Sequence, residues 1–233
     1  MIEIGARHQL VGIDSDSRSL LGLDSVSIVD LESLHEIAPD LVLVPRLPSA
    51  EETIRDLQSE GIRLVEFTPH DMEDVYGLCR GLGAELVGVM AATLFERGIS
   101  RPMAILAGRS PPMGRPRIVA LVGIDPPELA GGHSFETDLI EVVGGSSATH
   151  GGEDTRIKYT PALLRELGPD LVLVTTSLPA TEAEVERARA VIPDQFQVAF
   201  FDFERDRFWL RQPVKDAERL RVLLLSSGLD LGW

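Results

Sequence analysis

The chain has 233 residues, 44% of them hydrophobic and 25% charged, which is a globular composition and excludes wholesale disorder. With 37 acidic against 22 basic residues the net charge is −15, so a nucleic-acid backbone or an anionic membrane would repel the surface as a whole. The single cysteine, Cys79, excludes an internal disulfide and a thiolate metal cluster, and its apolar, helix-spaced neighbours give it the part of a small buried hydrophobe. No 7–15-residue apolar core opens the chain, so it shows no signal peptide.

The strongest pattern is an internal repeat. Residues 32–44 (ESLHEIAPDLVLV) and 162–174 (ALLRELGPDLVLV) share eight of thirteen residues at a constant offset of 130. Each copy reads as a short amphipathic helix, a proline that stops it, an Asp, and an apolar run suited to a strand buried on both faces. Capping-box patterns follow both copies, at Ser49 to Glu52 and Thr181 to Glu184, and predict further helices. Further apolar runs then come at Arg63 to Phe67 and Gln197 to Phe201, so each half is a strand–helix–strand series with parallel strands. Leu10 to Ile13 and Ile118 to Val122 supply additional apolar runs.

Between the halves, Met72, Val75, Leu78, Cys79, Leu82, Leu86, Val89, Met90 and Leu94 recur at three and four residues, predicting one long helix from Asp71 to about Arg97. Pro102, Pro111, Pro112 and Pro116 then predict a linker loop over 101–117. The expected organisation is an N-terminal lobe over 1–70, a connecting helix over 71–100, the linker, and a C-terminal lobe over 118–233.

Candidate site residues are sought just beyond the strand ends, where open α/β sheets bind ligands. They are Arg46, His70, Asp125, Arg156, Tyr159, Ser177, Phe203 and Trp209. Guanidinium groups pair with carboxylates and aromatic rings lie against flat ligands, a combination suited to a large anionic chelate. His70, His133 and His150 fall in predicted loops, but HxH, HExxH and CxxC spacings are absent, so no directly bound metal is expected. No G-x-S-x-G elbow, dinucleotide fingerprint or phosphate loop occurs, and no catalytic residue is assigned.

These segments resemble the class III substrate-binding proteins of ABC importers, which carry cobalamin, ferric siderophores or haem. The likeness lies in Asp30-Leu31-Glu32 through Pro39-Asp40-Leu41-Val42-Leu43, in Thr160 through Leu173, and in Ala130-Gly131-Gly132-His133-Ser134-Phe135 with Asp138-Leu139-Ile140-Glu141 and Gly144-Gly145. It implies an α/β fold of two Rossmann-like lobes with parallel sheets joined by one long interlobe helix, and a non-enzymatic binding protein. It also implies a corrinoid, ferric siderophore or haem held in the interlobe cleft, no covalent cofactor, and delivery to an ABC permease if the chain is exported. Glu51 matches the acidic residue with which the first lobe docks on the permease, whereas Ala162 stands at the second-lobe position. Family members carry a further strand and helix upstream of the segment matching Met1, so the first lobe is expected to be incomplete and to dimerise through an open sheet edge or to rearrange. The family is periplasmic. A chain truly starting at Met1 would instead be a cytoplasmic small-molecule binding or sensing module of the same fold.

Overall fold

The computed structural model describes residues 7–12, 33–45, 51–109, 114–176, 179–203 and 213–231. Two compact units divide them: unit 1 takes residues up to Pro69 together with Gly77–Phe95, and unit 2 takes His70–Tyr76 together with Glu96 onward.

Unit 1 contains α1 (Leu34–Ile37), β1 (Leu41–Pro45), α2 (Glu51–Ser59) and β2 (Arg63–Phe67). The two strands pair in parallel, Leu41 opposite Arg63 and Val44 opposite Glu66; Leu41 to Val44 are half-buried, short of the burial on both faces that their apolar run predicts. Leu10–Gly12, expected to begin a strand, has no regular structure and follows a single 3₁₀ turn at Arg7–Gln9. Gln9 donates to the Leu86 carbonyl at 2.7 Å, a bond that anchors this segment.

The expected single helix is two: α3 (Met72–Val87) and α4 (Val89–Ala107). Gly88 separates them at φ +86°, a left-handed conformation that glycine adopts without steric cost. The break resets the apolar period, which explains why Val89, Met90 and Leu94 are exposed although the continuous pattern placed them on the buried face. The predicted linker is also shorter than expected, because α4 runs through Pro102 to Ala107. Proline removes one backbone donor, while buried Met103 and Leu106 hold the turns that follow it. Cys79 is half-buried rather than fully buried.

Unit 2 is built on a six-stranded sheet: β3 (Arg117–Ile124), β4 (Pro127–Ala130), β5 (Ser146–Ser147), β6 (Arg156–Lys158), β7 (Leu171–Thr176) and β8 (Val198–Asp202). The spatial order is β6-β4-β3-β7-β8, with β5 beside the start of β3. The expected parallel core is β3, β7 and β8. Strands β4 and β6 are antiparallel additions, and Arg156, sought beyond a strand end, lies within β6 and pairs with Ala130. The turn at Asp125–Pro126 is too short for a crossover and so turns the chain straight back beside β3.

Side-chain alternation divides the core between the two faces of the sheet. Val119, Leu121, Val172 and Val174 pack with Leu164 of α6 (Pro161–Leu167) and with Ala188 of α7 (Glu182–Val191). Ile118, Ala120, Leu171 and Leu173 take the opposite alternation and are also fully buried. That face belongs with α5 (Phe135–Val142) and α8 (Pro213–Ser226), which pack on each other, α5 against β3 and α8 against β8. Each such leucine contributes about 1.5–3 kcal/mol by leaving water.

The repeat is visible in the backbone. Helices α1 and α6 both end on a left-handed residue, Ala38 at φ +45° and Gly168 at φ +54°, each donating its N–H back to the carbonyl four residues earlier. Alanine pays for this conformation and glycine does not. Ala38→Gly is therefore expected to stabilise unit 1 by roughly 0.5–1 kcal/mol, read as a higher urea midpoint at unchanged slope. The second capping box is present as expected: Thr181 accepts from Glu184 N–H, and the Glu184 carboxylate accepts from Thr181 N–H at 2.8 Å. Those bonds favour the ionised carboxylate and lower its pKa. The first box lies partly outside the described residues.

Candidate functional site

Among the described residues of unit 2, a group of ionisable side chains lies where the first turn of α3 meets the loop between β4 and α5. Asp71 caps α3: its Oδ1 accepts the Asp74 N–H at 2.9 Å, leaving Oδ2 2.7 Å from His133 Nδ1. Asp74 Oδ2 accepts the His70 N–H at 2.8 Å and stands 3.6 Å from His133 Nε2. The rings of His70 and His133 lie 6.0 Å apart, centre to centre. Helix-capping chemistry thus aims two carboxylates at one imidazole.

The loop carrying His133 is fixed by close backbone approach. Gly131 N–H donates to the Thr155 carbonyl at 3.1 Å, and His133 N–H donates to the Asp154 carbonyl at 3.2 Å. A Cβ on Gly131 would stand 1.9 Å from the Asp154 oxygen, and one on Gly132 would stand 2.1 Å from the Gly152 oxygen. Beneath the loop is a buried line of hydroxyls. Ser134 Oγ and Thr137 Oγ1 both donate to the Gly131 carbonyl, at 2.7 and 2.8 Å, and Thr137 Oγ1, Ser147 Oγ and Thr149 Oγ1 succeed one another at 3.1 Å. Ser134 also caps α5, accepting from Thr137 N–H.

Asp138, one turn into α5, accepts the Met72 N–H at 2.7 Å and so joins α5 to the start of α3. Burial pushes its carboxyl up to about 6, against the opposing effect of that hydrogen bond; the Asp71 charge pushes the same way and His133 pulls it back. Further along, Glu136 is 2% exposed with Oε1 3.6 Å from Arg156 Nη1, and Glu141 accepts from Arg115 and from Ser147 N–H.

Of the residues expected to bind ligand, His70 belongs to the histidine–aspartate group and Arg156 faces Glu136 from β6. Asp125 is exposed on the β3–β4 turn, apart from both. Tyr159 lies in the core, 6% exposed, and its hydroxyl donates to the Val191 carbonyl at 2.5 Å; burial raises its pKa. Phe203 is 3% exposed and stacks on Phe201, ring centres 6.0 Å apart, and Arg219 lies over the Phe201 ring. Both aromatics are occupied by packing, Tyr159 within the cluster that holds Leu164 and Val172, and Phe203 against Phe201. Arg46, Ser177 and Trp209 lie outside the described residues, as does the side chain of Glu51 at the start of α2.

Sequence reasoning did not bring Asp71, Asp74 and His133 together. The two acids sit three apart at a helix start, where capping alone explains them, and the histidine is 59 residues further on. The available signal was Gly131-Gly132 before His133, which marks a backbone packed too tightly for side chains. A depression of about 450 Å³ lined by Pro179, Ala180, Val185, Phe200 and Asp202 lies beside β8 and includes none of these groups.

The parallel α/β core with flanking helices, together with the unit carrying β1 and β2, is the fold of the periplasmic solute-binding proteins. Solved structures similar to it include an ABC transporter substrate-binding protein from Listeria monocytogenes, at 15% identity and TM-score 0.73, covering 95% of this chain and 94% of that one. The periplasmic haem-binding protein of Vibrio cholerae matches at 16% identity and TM-score 0.73, over 96% of this chain and 93% of its own. The periplasmic vitamin B12-binding protein of Vibrio cholerae matches at 11% identity and TM-score 0.68, over 97% and 92%. No family model and no curated protein matches the chain. At these identities the likeness establishes the fold. Among the described residues no helix is long and apolar enough to cross a membrane.

Proposed function

We propose that this chain is a non-enzymatic solute-binding protein whose cargo is a metal chelate or metal-bearing macrocycle, of the corrinoid, ferric siderophore or haem class, delivered to an ABC importer. The observation that carries this reading is the solute-binding fold, shared end to end with proteins described as haem- and B12-binding. Arg156 and His70 support it as polar contacts, and Arg46 joins them from the sequence pattern. Glu51, at the start of α2, is the residue assigned to permease docking.

The test is a titration of purified protein with haemin, cyanocobalamin and a ferric siderophore, followed by tryptophan fluorescence and by the ligands' own visible spectra. At least one is expected to bind with a Kd of micromolar or tighter. Replacing Arg46 and Arg156 together by Ala is expected to weaken an anionic cargo by about tenfold or more, the loss of one charge-assisted hydrogen bond. Failure of every cargo to bind below about a millimolar would refute the reading.

A further inference from the structure

We infer that Asp71, Asp74 and His133 form a site for a single divalent transition-metal ion of the zinc type, with the His70 ring placed to supply a fourth donor. This inference does not require the cargo reading, and it gives His70, named above as a cargo contact, to the ion instead: the ion is held by protein side chains alone, and all four residues belong to unit 2.

The donor set is the first argument. One atom each from Asp71, Asp74 and His133 lie within 4.8 Å of one another, and no other three His, Cys, Asp or Glu residues converge in this way among the described residues. Two carboxylate oxygens with one or two imidazoles suit Zn²⁺ and its neighbours, whereas calcium and magnesium prefer all-oxygen shells. Tetrahedral ligation at about 2.0–2.1 Å places donors about 3.3 Å apart. Asp71 Oδ2 stands 2.7 Å from Nδ1 and Asp74 Oδ2 3.6 Å from Nε2, so a carboxylate lies beside each ring nitrogen; an ion takes one of the two nitrogens, and the remaining donors, within 4.8 Å of one another, close on it by small side-chain rotations.

The second argument is that the ligands are already oriented by hydrogen bonds. Asp71 is held through its other oxygen by the Asp74 N–H, whereas the Asp74 oxygen that faces His133, Oδ2, itself accepts the His70 N–H and would share that bond with the ion. Such outer bonds are what orient metal-ligating side chains in established sites. His133 is fixed by the Gly131-Gly132 loop and its bond to Asp154. The third argument is the second imidazole. His70 makes no side-chain hydrogen bond among the described residues, and its ring centre is 6.0 Å from that of His133, a spacing that a shared ion between two rings accommodates. On binding, one nitrogen of His133 gives its lone pair to the ion while the ring proton resides on the other nitrogen, so ligation by the neutral ring releases no net proton.

The experiment is calorimetric titration of chelator-treated full-length protein with ZnCl₂, repeated with CoCl₂ under visible spectroscopy. One ion per chain is expected at micromolar Kd, with Co²⁺ giving the intense 500–650 nm absorption of a tetrahedral site. His133→Ala is expected to weaken Zn²⁺ at least tenfold and His70→Ala several-fold, while His150→Ala, which removes an exposed histidine beside Glu141, leaves the titration unchanged. Asp74→Asn is a further variant, with far-UV circular dichroism reporting whether each variant is folded. Zn²⁺ affinity weaker than about a millimolar in folded protein, or an affinity indifferent to His133→Ala, overturns the proposal. Loss of binding on His150→Ala alone overturns it as well. Because no chelate enters the titration, these outcomes are read separately from those for cargo.

Discussion

Gly131→Ala is expected to destabilise unit 2 by roughly 3–6 kcal/mol, a large share of the net stability of a domain. The added methyl would stand 1.9 Å from the Asp154 carbonyl oxygen and 2.6 Å from its carbon. Both are backbone atoms, so no side-chain rotation relieves the clash and the two chain segments must part. Parting breaks the Gly131 to Thr155 bond and strains the adjoining pair of Ala130 with Arg156 at the edge of the sheet. It also moves the carbonyl that receives the Ser134 and Thr137 hydroxyls, leaving buried donors without their acceptor. Gly151→Ala is the matched control, since nothing lies within 4 Å of its Cβ position. Guanidinium unfolding of the two variants should separate them clearly; a Gly131→Ala midpoint equal to that of Gly151→Ala would show that the loop has slack the packing denies.

Asp138→Asn is expected to stabilise the protein, and to do so only above mildly acidic pH. A carboxyl raised from 3.8 to about 6 is protonated more readily in the folded state than in the unfolded one. Its contribution is therefore most favourable below pH 4, is lost as pH rises from about 4 to 6, and stays at its least favourable value above that. The displacement corresponds to up to about 3 kcal/mol. Asparagine keeps an oxygen to accept the Met72 N–H at the same place and carries no charge to bury. In a chelating buffer the variant should melt several degrees above the parent at pH 7.5, with the difference shrinking towards zero at pH 4. A constant difference across that range would mean that the charge on Asp138 is not what burial penalises.

Much of the fold was legible because the repeat states it twice. Pro39-Asp40 and Pro169-Asp170 each stop a helix and launch a strand, and both strands lie where the apolar runs placed them, although only β7 is buried as expected and Leu41 to Val44 of β1 are half-buried. The helix break was not legible from apolar periodicity, since Val89, Met90 and Leu94 continue the count of three and four; only the conformation of Gly88 ends it. The antiparallel strands escaped notice because β4 and β6 have four and three residues, too few to show an alternation. Tyr159 and Phe203 follow strand ends, where an aromatic serves packing or ligand contact equally well. What decides between packing and binding is whether a helix covers them, and that is a property of the assembled layers. The histidine–aspartate group escaped for a related reason: its members are joined by tertiary contact between a helix start and a distant loop.

The line of buried hydroxyls has an electrical consequence for the loop above it. The Gly131 carbonyl accepts from two hydroxyls, so both of its lone pairs are engaged, and Thr137, having spent its proton there, can only receive from Ser147, which in turn can only receive from Thr149. Three O–H dipoles therefore point the same way along the Thr149–Ser147–Thr137 branch, each polarising the next. Their sum draws electron density onto the Gly131 oxygen and, through amide resonance, away from the nitrogen of the same peptide group. That nitrogen belongs to Gly132. Its N–H is thereby a stronger donor than an ordinary loop amide, one residue before His133, with its polarity set by side chains that never reach the surface.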